Sequence, residues 1–210
     1  MNRSGYLITF EGGEGVGKTT QVARIKERFQ SIGKKVVVLR EPGGTVISEQ
    51  IREVVLAKKN AQMSDTTEVL LFQAARAQIY QEVVIPALEA GKIVLMDRSR
   101  DSSVVYQGMV RGFGKKLIEQ LNDISTSKTR PNLTFLLDVS VDIGLKRRED
   151  DGDSNRLEDE AKAFHRKVRS AYQELAAEND HHRWHIIDAK RPIEEVEAAI
   201  WAVMTQKLHL

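Results

Sequence analysis

The chain has 210 residues, the size of one domain with a substantial hydrophobic core. Its 32 Lys and Arg against 30 Asp and Glu leave a formal net charge of +2, so no strong field favours nucleic acid as a partner. Cysteine is absent, which excludes disulfides, thiolate metal sites and cysteine nucleophiles. The apolar stretch Tyr6–Phe10 is too short for a signal peptide or a membrane span, so we expect a cytoplasmic protein with no membrane partner.

Short runs of Val, Ile, Leu and aromatic residues predict the strands of a sheet. They are Tyr6–Phe10, Val36–Leu39, Ile93–Met96, Thr134–Leu137 and Trp184–Ile187. Such short, almost wholly apolar runs are typical of strands that are buried on both faces.

Segments with helical spacing separate these strands and include Gln21–Ile32, Ala161–Asn179 and Ile193–Leu208. Gly33 and Gly91 predict helix ends, Pro192 a helix start, and Pro86 a kink or division within a helix. The alternation of strands and helices predicts an α/β fold, a five-stranded parallel sheet with helices on both faces, in a single domain over 1–210. In such a sheet ligands bind at the carboxyl ends of the strands.

A glycine-rich phosphate-binding motif follows the first strand and opens the next helix. It reads Gly12-Gly13-Glu14-Gly15-Val16-Gly17-Lys18-Thr19 and fits G-x-x-x-x-G-K-[ST]. Glycines let backbone N–H groups approach phosphate oxygens, and the helix N-terminus adds positive potential. Lys18 supplies a charge for the β- and γ-phosphates, and the hydroxyl of Thr19 is a ligand for Mg²⁺. We therefore predict a P-loop NTPase fold that binds a nucleoside triphosphate through Gly12 to Thr20; the motif does not choose among kinases, GTPases and other ATPases.

The third predicted strand is followed by Asp97-Arg98. An aspartate there can organise Mg²⁺ or the attacking phosphate, and an arginine can bind an anion in a two-pronged contact. A strand end closed by a structural salt bridge is the alternative. Neither Asn-Lys-x-Asp nor a third-strand Asp-x-x-Gly is present, so the sequence lacks the elements of a GTPase.

Taken together in order and spacing, the motifs resemble thymidylate kinases of the bacterial type, which are P-loop nucleoside monophosphate kinases. The resemblance runs nearly end to end through Phe10–Gln21, Arg40–Thr45, Ile51-Arg52, Leu71–Arg76, Asp97-Arg98, Ser102–Gly108, Leu137–Val139, Gly144–Arg147 and Asn155–Glu158. It implies ATP-dependent conversion of thymidine monophosphate (dTMP) to the diphosphate (dTDP) for dTTP synthesis, with Mg²⁺, in a homodimer. The apolar run Val69–Leu71 is compatible with a dimer interface and equally with a core.

The resemblance also implies roles for individual residues. The dTMP-binding set is Glu14, Glu41, Arg52, Phe72, Arg76, Arg98, Ser102, Ser103, Tyr106 and Gln107. Within it Phe72 would stack on the base, Arg76 would bond the edge of the base, and Tyr106 would crowd the 2′ carbon. The catalytic set is Lys18, Asp97, Arg98, Arg148 and Arg156, with Thr19 and Asp97 as metal ligands and Glu41 helping to organise Mg²⁺. Arg191, in the segment Asp188–Pro192, would run past the adenine of ATP.

The sequence departs from the family pattern in two places. Gly15 occupies the P-loop position where some members carry a catalytic arginine, so we expect the arginine to come from a lid at 147–157. The lid positions commonly held by arginine carry Glu149 and Asp151, which leaves Arg148 and Arg156, with Arg147 third. The acidic run 149–153 lacks the spacing of a calcium loop.

Two smaller departures are Ser99 and Val105. Ser99 replaces an aromatic residue that would form a wall of the acceptor site, and Val105 replaces a smaller residue beside the sugar of the acceptor. They could shift acceptor affinity. Two other functions remain open: a kinase acting on uridylate or cytidylate, and a nucleotide-binding protein that has lost catalysis, for which the acidic lid is the only support.

Overall fold

The parallel sheet is confirmed. The computed structural model describes residues 4–149, 155–178 and 182–208. Its five strands, all paired in parallel in the order β2-β3-β1-β4-β5, are β1 (Tyr6–Glu11), β2 (Val36–Arg40), β3 (Ile93–Asp97), β4 (Leu133–Asp138) and β5 (Trp184–Asp188). Because β1 is central, the loop after β1 lies between the carboxyl ends of β3 and β4.

Every strand extends one residue beyond its predicted end, to a charged residue. These terminal residues are Glu11, Arg40, Asp97, Asp138 and Asp188. Burial on both faces is confirmed for the three central strands, apart from their ends, but is wrong for the edge strands. In β2 Val38 is 41% exposed, and in β5 Ile186 is 56% exposed, because the helical layers do not cover the two edges completely.

The helices of the described residues connect the strands. They are α1 (Lys18–Ser31), α2 (Val46–Leu56), α3 (Asp65–Ile79), α4 (Ile85–Glu89), α5 (Arg100–Ser103), α6 (Lys115–Ser125), α7 (Val141–Glu149), α8 (Lys162–Glu178) and α9 (Ile193–Leu208). A 3₁₀ turn spans Lys58–Asn60, and π-helical turns span Tyr80–Val84 and Val104–Val110. The predicted α9 matches the structure, and α1 begins three residues before the predicted Gln21, at the end of the P-loop. The predicted last residue of α8, Asn179, lies outside the described residues.

The predicted helix boundaries have local causes. Gly33 and Gly91 adopt φ values of 74° and 70° just after α1 and α4, where a left-handed residue ends a helix. Pro86 lies in the first turn of α4, directly after the π-helical turn Tyr80–Val84. Since proline has no N–H to donate, the helix widens there and continues, so the expected kink takes the form of a π-bulge.

Alternate residues of the sheet face two different helical layers. On one face, Ile8 and Phe10 pack with Phe29 of α1 and Ile200 of α9. On the other face, Leu7 packs with the end of α3, the π-helical turn after it and α4. Helix α8 packs further along the same face, on β4 and β5. None of the described helices is long and apolar enough to cross a membrane.

Candidate active site

The P-loop wraps around its own lysine. Gly12, Gly15 and Gly17 adopt φ values of 137°, 64° and 89°, a region open to glycine. Nζ of Lys18 donates to the carbonyl oxygens of Gly12 at 3.3 Å and Gly13 at 2.7 Å. Burial, and then the nearby Arg98, lower the pKa of Lys18 below its usual value. The ammonium group is thus held inside the loop where phosphate oxygens would bind.

In this chain the backbone of Gly144 leaves no room for a side chain at Gly15. A Cβ at Gly15 would lie 1.8 Å from the carbonyl oxygen of Gly144 in α7, and a Cβ at Gly144 would lie 2.4 Å from the carbonyl of Glu14. The two backbones are therefore in direct contact. This explains in physical terms why no arginine stands at position 15.

Thr19 and Asp97 meet as predicted for a metal site. Oγ1 of Thr19 donates to Oδ2 of Asp97 at 2.6 Å, and the main chain around Asp97 is fixed by its register opposite Phe10 of β1. Hydroxyl and carboxylate oxygens are ligands that suit Mg²⁺, which usually takes few protein ligands and completes its shell with water and phosphate. In the described part of the chain no three acidic or histidine side chains converge on one point. The donor set therefore fits Mg²⁺ bound together with a nucleotide.

Arg98 is the best-anchored cation of the site. It adopts φ 66°, and its guanidinium donates to the Gly12 carbonyl at 2.9 Å, to Glu14 at 2.6 Å and to the Tyr172 hydroxyl at 3.3 Å. The group lies 5.4 Å from the centre of the Tyr106 ring, a cation–π distance. Burial favours the neutral form of Arg98, but Glu14, Tyr106, Tyr172 and Asp97 together outweigh it and hold the pKa well above its usual value. The guanidinium stays charged and faces the cleft.

One wall of the cleft is built around Arg76, whose side chain is 1% exposed. Its guanidinium donates hydrogen bonds to Glu41, Ser103, Asn122 and the Ser99 carbonyl at 2.8 to 3.0 Å, and Nη2 also lies 2.6 Å from Oε2 of Glu41. The expectation that Glu41 helps to organise Mg²⁺ stays a prediction. Its carboxylate is bound to Arg76, the natural partner for a buried acid, and not to the Thr19–Asp97 pair. The Glu41-Pro42 peptide is cis.

All ten predicted dTMP-binding residues line one cleft of about 370 Å³. Glu14 to Thr20 of the ATP set line the same cleft, as do Lys18, Asp97, Arg98 and Arg148 of the catalytic set. Gly12 and Gly13 lie behind the wall and contribute the carbonyls that bind Lys18. Arg191 is exposed, near Asp188, and does not line the cleft.

The predicted lid is described only at its two ends. Residues 150–154, which include Asp151, lie outside the described residues, as does the side chain of Glu149. Arg148 lines the cleft, and its Nε and Nη2 both lie 3.0 Å from Oε2 of Glu158. Arg147 donates to the Ala189 carbonyl at 3.1 Å, which joins α7 to the segment after β5.

Arg156, the other predicted catalytic arginine, does not lie on the cleft wall. Its Nε donates to the Val55 carbonyl at 3.1 Å, its Nη2 to Glu68 at 2.7 Å, and its backbone N–H to the Leu56 carbonyl at 3.1 Å. These contacts fix the end of the lid to α2 and α3. In this structure Arg156 anchors the lid, and its predicted catalytic role stays a prediction.

Sequence reasoning missed a buried carboxylate beneath the site. Glu11 is fully buried and accepts hydrogen bonds from the Ser99 amide at 2.9 Å, the Ser102 hydroxyl at 2.6 Å and the Tyr172 hydroxyl at 2.8 Å. The only signal was a charged residue at the end of an apolar run. Tyr172, far away in α8, gave none.

The two small departures from the family pattern have different outcomes. Ser99 is fully buried, and its hydroxyl lies 2.8 Å from the hydroxyl of Tyr80, so an aromatic residue from another helix fills the space beside it. Val105 is fully buried in the apolar cluster around α8 and does not line the cleft, so it adds no bulk beside the sugar.

Known proteins are similar to this chain in sequence and in fold. A family model described as thymidylate kinase matches residues 10–200. A thymidylate kinase of Geotalea uraniireducens (strain Rf4) is 46% identical over 97% of this chain and 98% of the relative, and one of Deinococcus radiodurans is 44% identical over 98% of each. The crystal structure of thymidylate kinase from Ehrlichia chaffeensis matches with a TM-score of 0.78 and 32% identity, covering 95% of this chain and 98% of that chain. These matches identify an enzyme of the nucleoside monophosphate kinase class, and the chain belongs to the thymidylate kinase family.

Proposed function

We propose that the enzyme transfers the γ-phosphoryl group of ATP to dTMP and releases dTDP and ADP. The observation that carries this proposal is the single cleft, lined by the P-loop and by all ten residues expected to bind dTMP. The product is a diphosphate, so its contribution to dTTP synthesis is indirect and requires a further phosphoryl transfer. The cytoplasmic location remains a prediction.

The donor end would bind the phosphates of ATP. Backbone N–H groups of the P-loop and the N-terminus of α1 favour anions, and Lys18 would exchange its carbonyl partners for phosphate oxygens. Thr19 and Asp97 would hold Mg²⁺, whose charge offsets that of the phosphates when it is bound.

The acceptor end would bind dTMP with its phosphate toward the donor. Arg98 and Arg52 both line the cleft and are suited to a phosphate dianion. Arg52 now donates to the Pro42 carbonyl at 2.7 Å, and Arg98 is paired with Glu14, so both are already oriented. The ring of Tyr106 lies beside Arg98, where it would leave little room for a ribose 2′-hydroxyl.

Transfer requires positive charge around the migrating phosphoryl group. Lys18 and Arg98, which both donate to the Gly12 carbonyl, would supply it side by side. Arg148 is the lid arginine on the cleft wall and would add charge from above, after release from Glu158. Positioning the two phosphates in line among these cations would account for most of the catalysis.

We also propose that the enzyme is a homodimer. Its support is the set of exposed apolar side chains on α2, α3 and α6, which includes Val46, Leu70 and Ile124 at 74%, 56% and 77% exposure. Of the run Val69–Leu71, Val69 is core and Leu70 is exposed. Light scattering should give twice the chain mass of 23.7 kDa, and a monomer at micromolar concentration would contradict this proposal.

The test of the function is a coupled assay of ADP release with dTMP, dUMP, UMP and dCMP as acceptors. We expect the highest kcat/KM for dTMP. No turnover with dTMP, or a higher kcat/KM for another acceptor, would overturn the proposal. Calorimetric binding of both nucleotides without turnover would instead indicate a nucleotide-binding protein that has lost catalysis.

A further inference from the structure

Glu68 joins the acceptor wall to the end of the lid. It lies in the first turn of α3 and is 1% exposed. Its Oε1 accepts from Nε2 of Gln107 at 2.9 Å, while its Oε2 accepts from Arg156 at 2.7 Å and lies 3.4 Å from Arg111. Two guanidinium groups thus lie beside it, and a glutamate carboxylate can accept hydrogen bonds but cannot donate them.

That restriction decides which way the amide of Gln107 points. A primary amide has a donor end, the NH₂ group, and an acceptor end, the carbonyl oxygen. Because Glu68 only accepts, the NH₂ group of Gln107 must face it, as observed. Gln107 lines the cleft, so its carbonyl end is the one left to meet a ligand there.

We propose that Glu68 is a specificity-determining positioning residue that makes the site select a base carrying an N–H at ring position 3. This inference rests on the proposed function and on the family resemblance, which implies that Gln107 bonds the acceptor base. Thymine and uracil offer that N–H to the carbonyl oxygen of Gln107. Cytosine has a lone pair at the same position, so two acceptors would face each other. A single mismatch of this kind changes affinity by roughly 10- to 100-fold.

The chain offers two variants that separate this role from anchoring of the lid. Glu68→Gln keeps the shape of the side chain but can donate a hydrogen bond, so it frees the amide of Gln107 to turn over. Arg156→Gln removes the lid-side partner while the carboxylate of Glu68 stays in place for Gln107. Both variants disturb the contact between Glu68 and the lid, and only the first alters the partner of Gln107.

The experiment measures kcat/KM for dTMP, dUMP and dCMP, and KM for ATP, in the wild type and both variants. We expect Glu68→Gln to lower the dTMP-to-dCMP ratio by about 10-fold or more. The values for dTMP and dUMP should fall together, because they share the N3–H and differ only in the methyl group. KM for ATP should stay within about threefold of the wild type, and Arg156→Gln should retain the wild-type ratio.

An unchanged dTMP-to-dCMP ratio in Glu68→Gln, or an equal loss for dTMP, dCMP and ATP, would overturn the inference. A wild type that does not phosphorylate dTMP would instead overturn the proposed function. If Glu68→Gln does not fold, the double variant E68Q/Q107E is measured instead. It restores a carboxylate–amide pair, and the carboxylate, which can only accept, then lies at position 107 on the cleft side. The swap should prefer dTMP over dCMP, and a preference for dCMP would refute the assignment.

Discussion

Replacing Glu11 by glutamine should change how the stability of the protein depends on pH. Burial, and then the nearby Asp101, raise the pKa of Glu11 from 4.5 to about 7, although Ser102, Arg98 and Tyr172 oppose the rise. The carboxyl is fully buried at the end of β1, so the shift reflects its environment and not an exposed ion pair. Glutamine has nearly the same shape and carries no charge at any pH.

The sign and size of the effect follow from proton linkage. The folded chain binds the proton of Glu11 more tightly than the unfolded chain does. This group therefore contributes stability that is fully present below pH 4.5 and is lost as pH rises through about 7. Between about pH 5.5 and about pH 8.5 the free energy of unfolding of the wild type should lose about 2 kcal/mol relative to the variant. If the glutamine weakens a hydrogen bond by an amount that does not depend on pH, that loss of free energy is the same at both pH values and cancels in the comparison.

Urea unfolding, followed by tryptophan fluorescence at fixed protein concentration, measures both free energies at each pH. The difference between wild type and Glu11→Gln should fall by about 2 kcal/mol across the range. Glu89→Gln, at an exposed site on α4, is the matched control and should show a constant difference. A constant difference for Glu11→Gln as well would refute the argument, because it would mean that Glu11 is ionised throughout.

Three other predictions concern catalysis and the P-loop. Lys18→Ala should lower kcat by at least about 100-fold with an unchanged circular dichroism spectrum, and surviving activity would remove Lys18 from the phosphate site. Arg148→Gln should lower kcat by about 100-fold and leave KM for dTMP within about threefold of the wild type. Arg156→Gln should mainly lower the free energy of unfolding. If kinetic and unfolding measurements show the reverse pattern, Arg156 is the catalytic arginine. Gly15→Ala should cost about 2 kcal/mol or more of stability and weaken ATP binding in calorimetry, because its Cβ meets the Gly144 carbonyl; normal binding would show that α7 moves aside freely.

The sheet could be predicted because its strands are apolar runs that need no long-range information. The same criterion placed every strand end one residue short, since the final residue is charged in each case. Of these residues Arg40 and Asp97 line the cleft, where Asp97 meets Thr19, and Glu11 meets Ser102 beneath it. The apolar pattern therefore stops at the edge of the sheet that carries the cleft.

The site was predictable where its residues belong to compact motifs, such as the P-loop. It was not predictable where a side chain is fixed by a distant partner. Tyr172 reaches Glu11 from 161 positions away, and Glu68 reaches Arg156 from 88 positions away, and neither pair leaves a local pattern. For the same reason the sequence could not show that Arg156 is bound to Glu68, because spacing alone does not reveal which acid will pair with an arginine.

The contact between Gly15 and Gly144 distinguishes the remaining arginines of the lid. Arg147 and Arg148 lie three and four residues after Gly144 in α7, about 60° and about 40° to opposite sides of it around the helix axis. Gly144 rests on the P-loop, and the two arginines diverge from that contact: Arg148 lines the cleft, while Arg147 donates to the Ala189 carbonyl. The contact that leaves no room for an arginine at position 15 therefore also holds the base of Arg148 beside the P-loop. This packing supports our proposal that Arg148, and not Arg156 at the far end of the lid, supplies the catalytic charge.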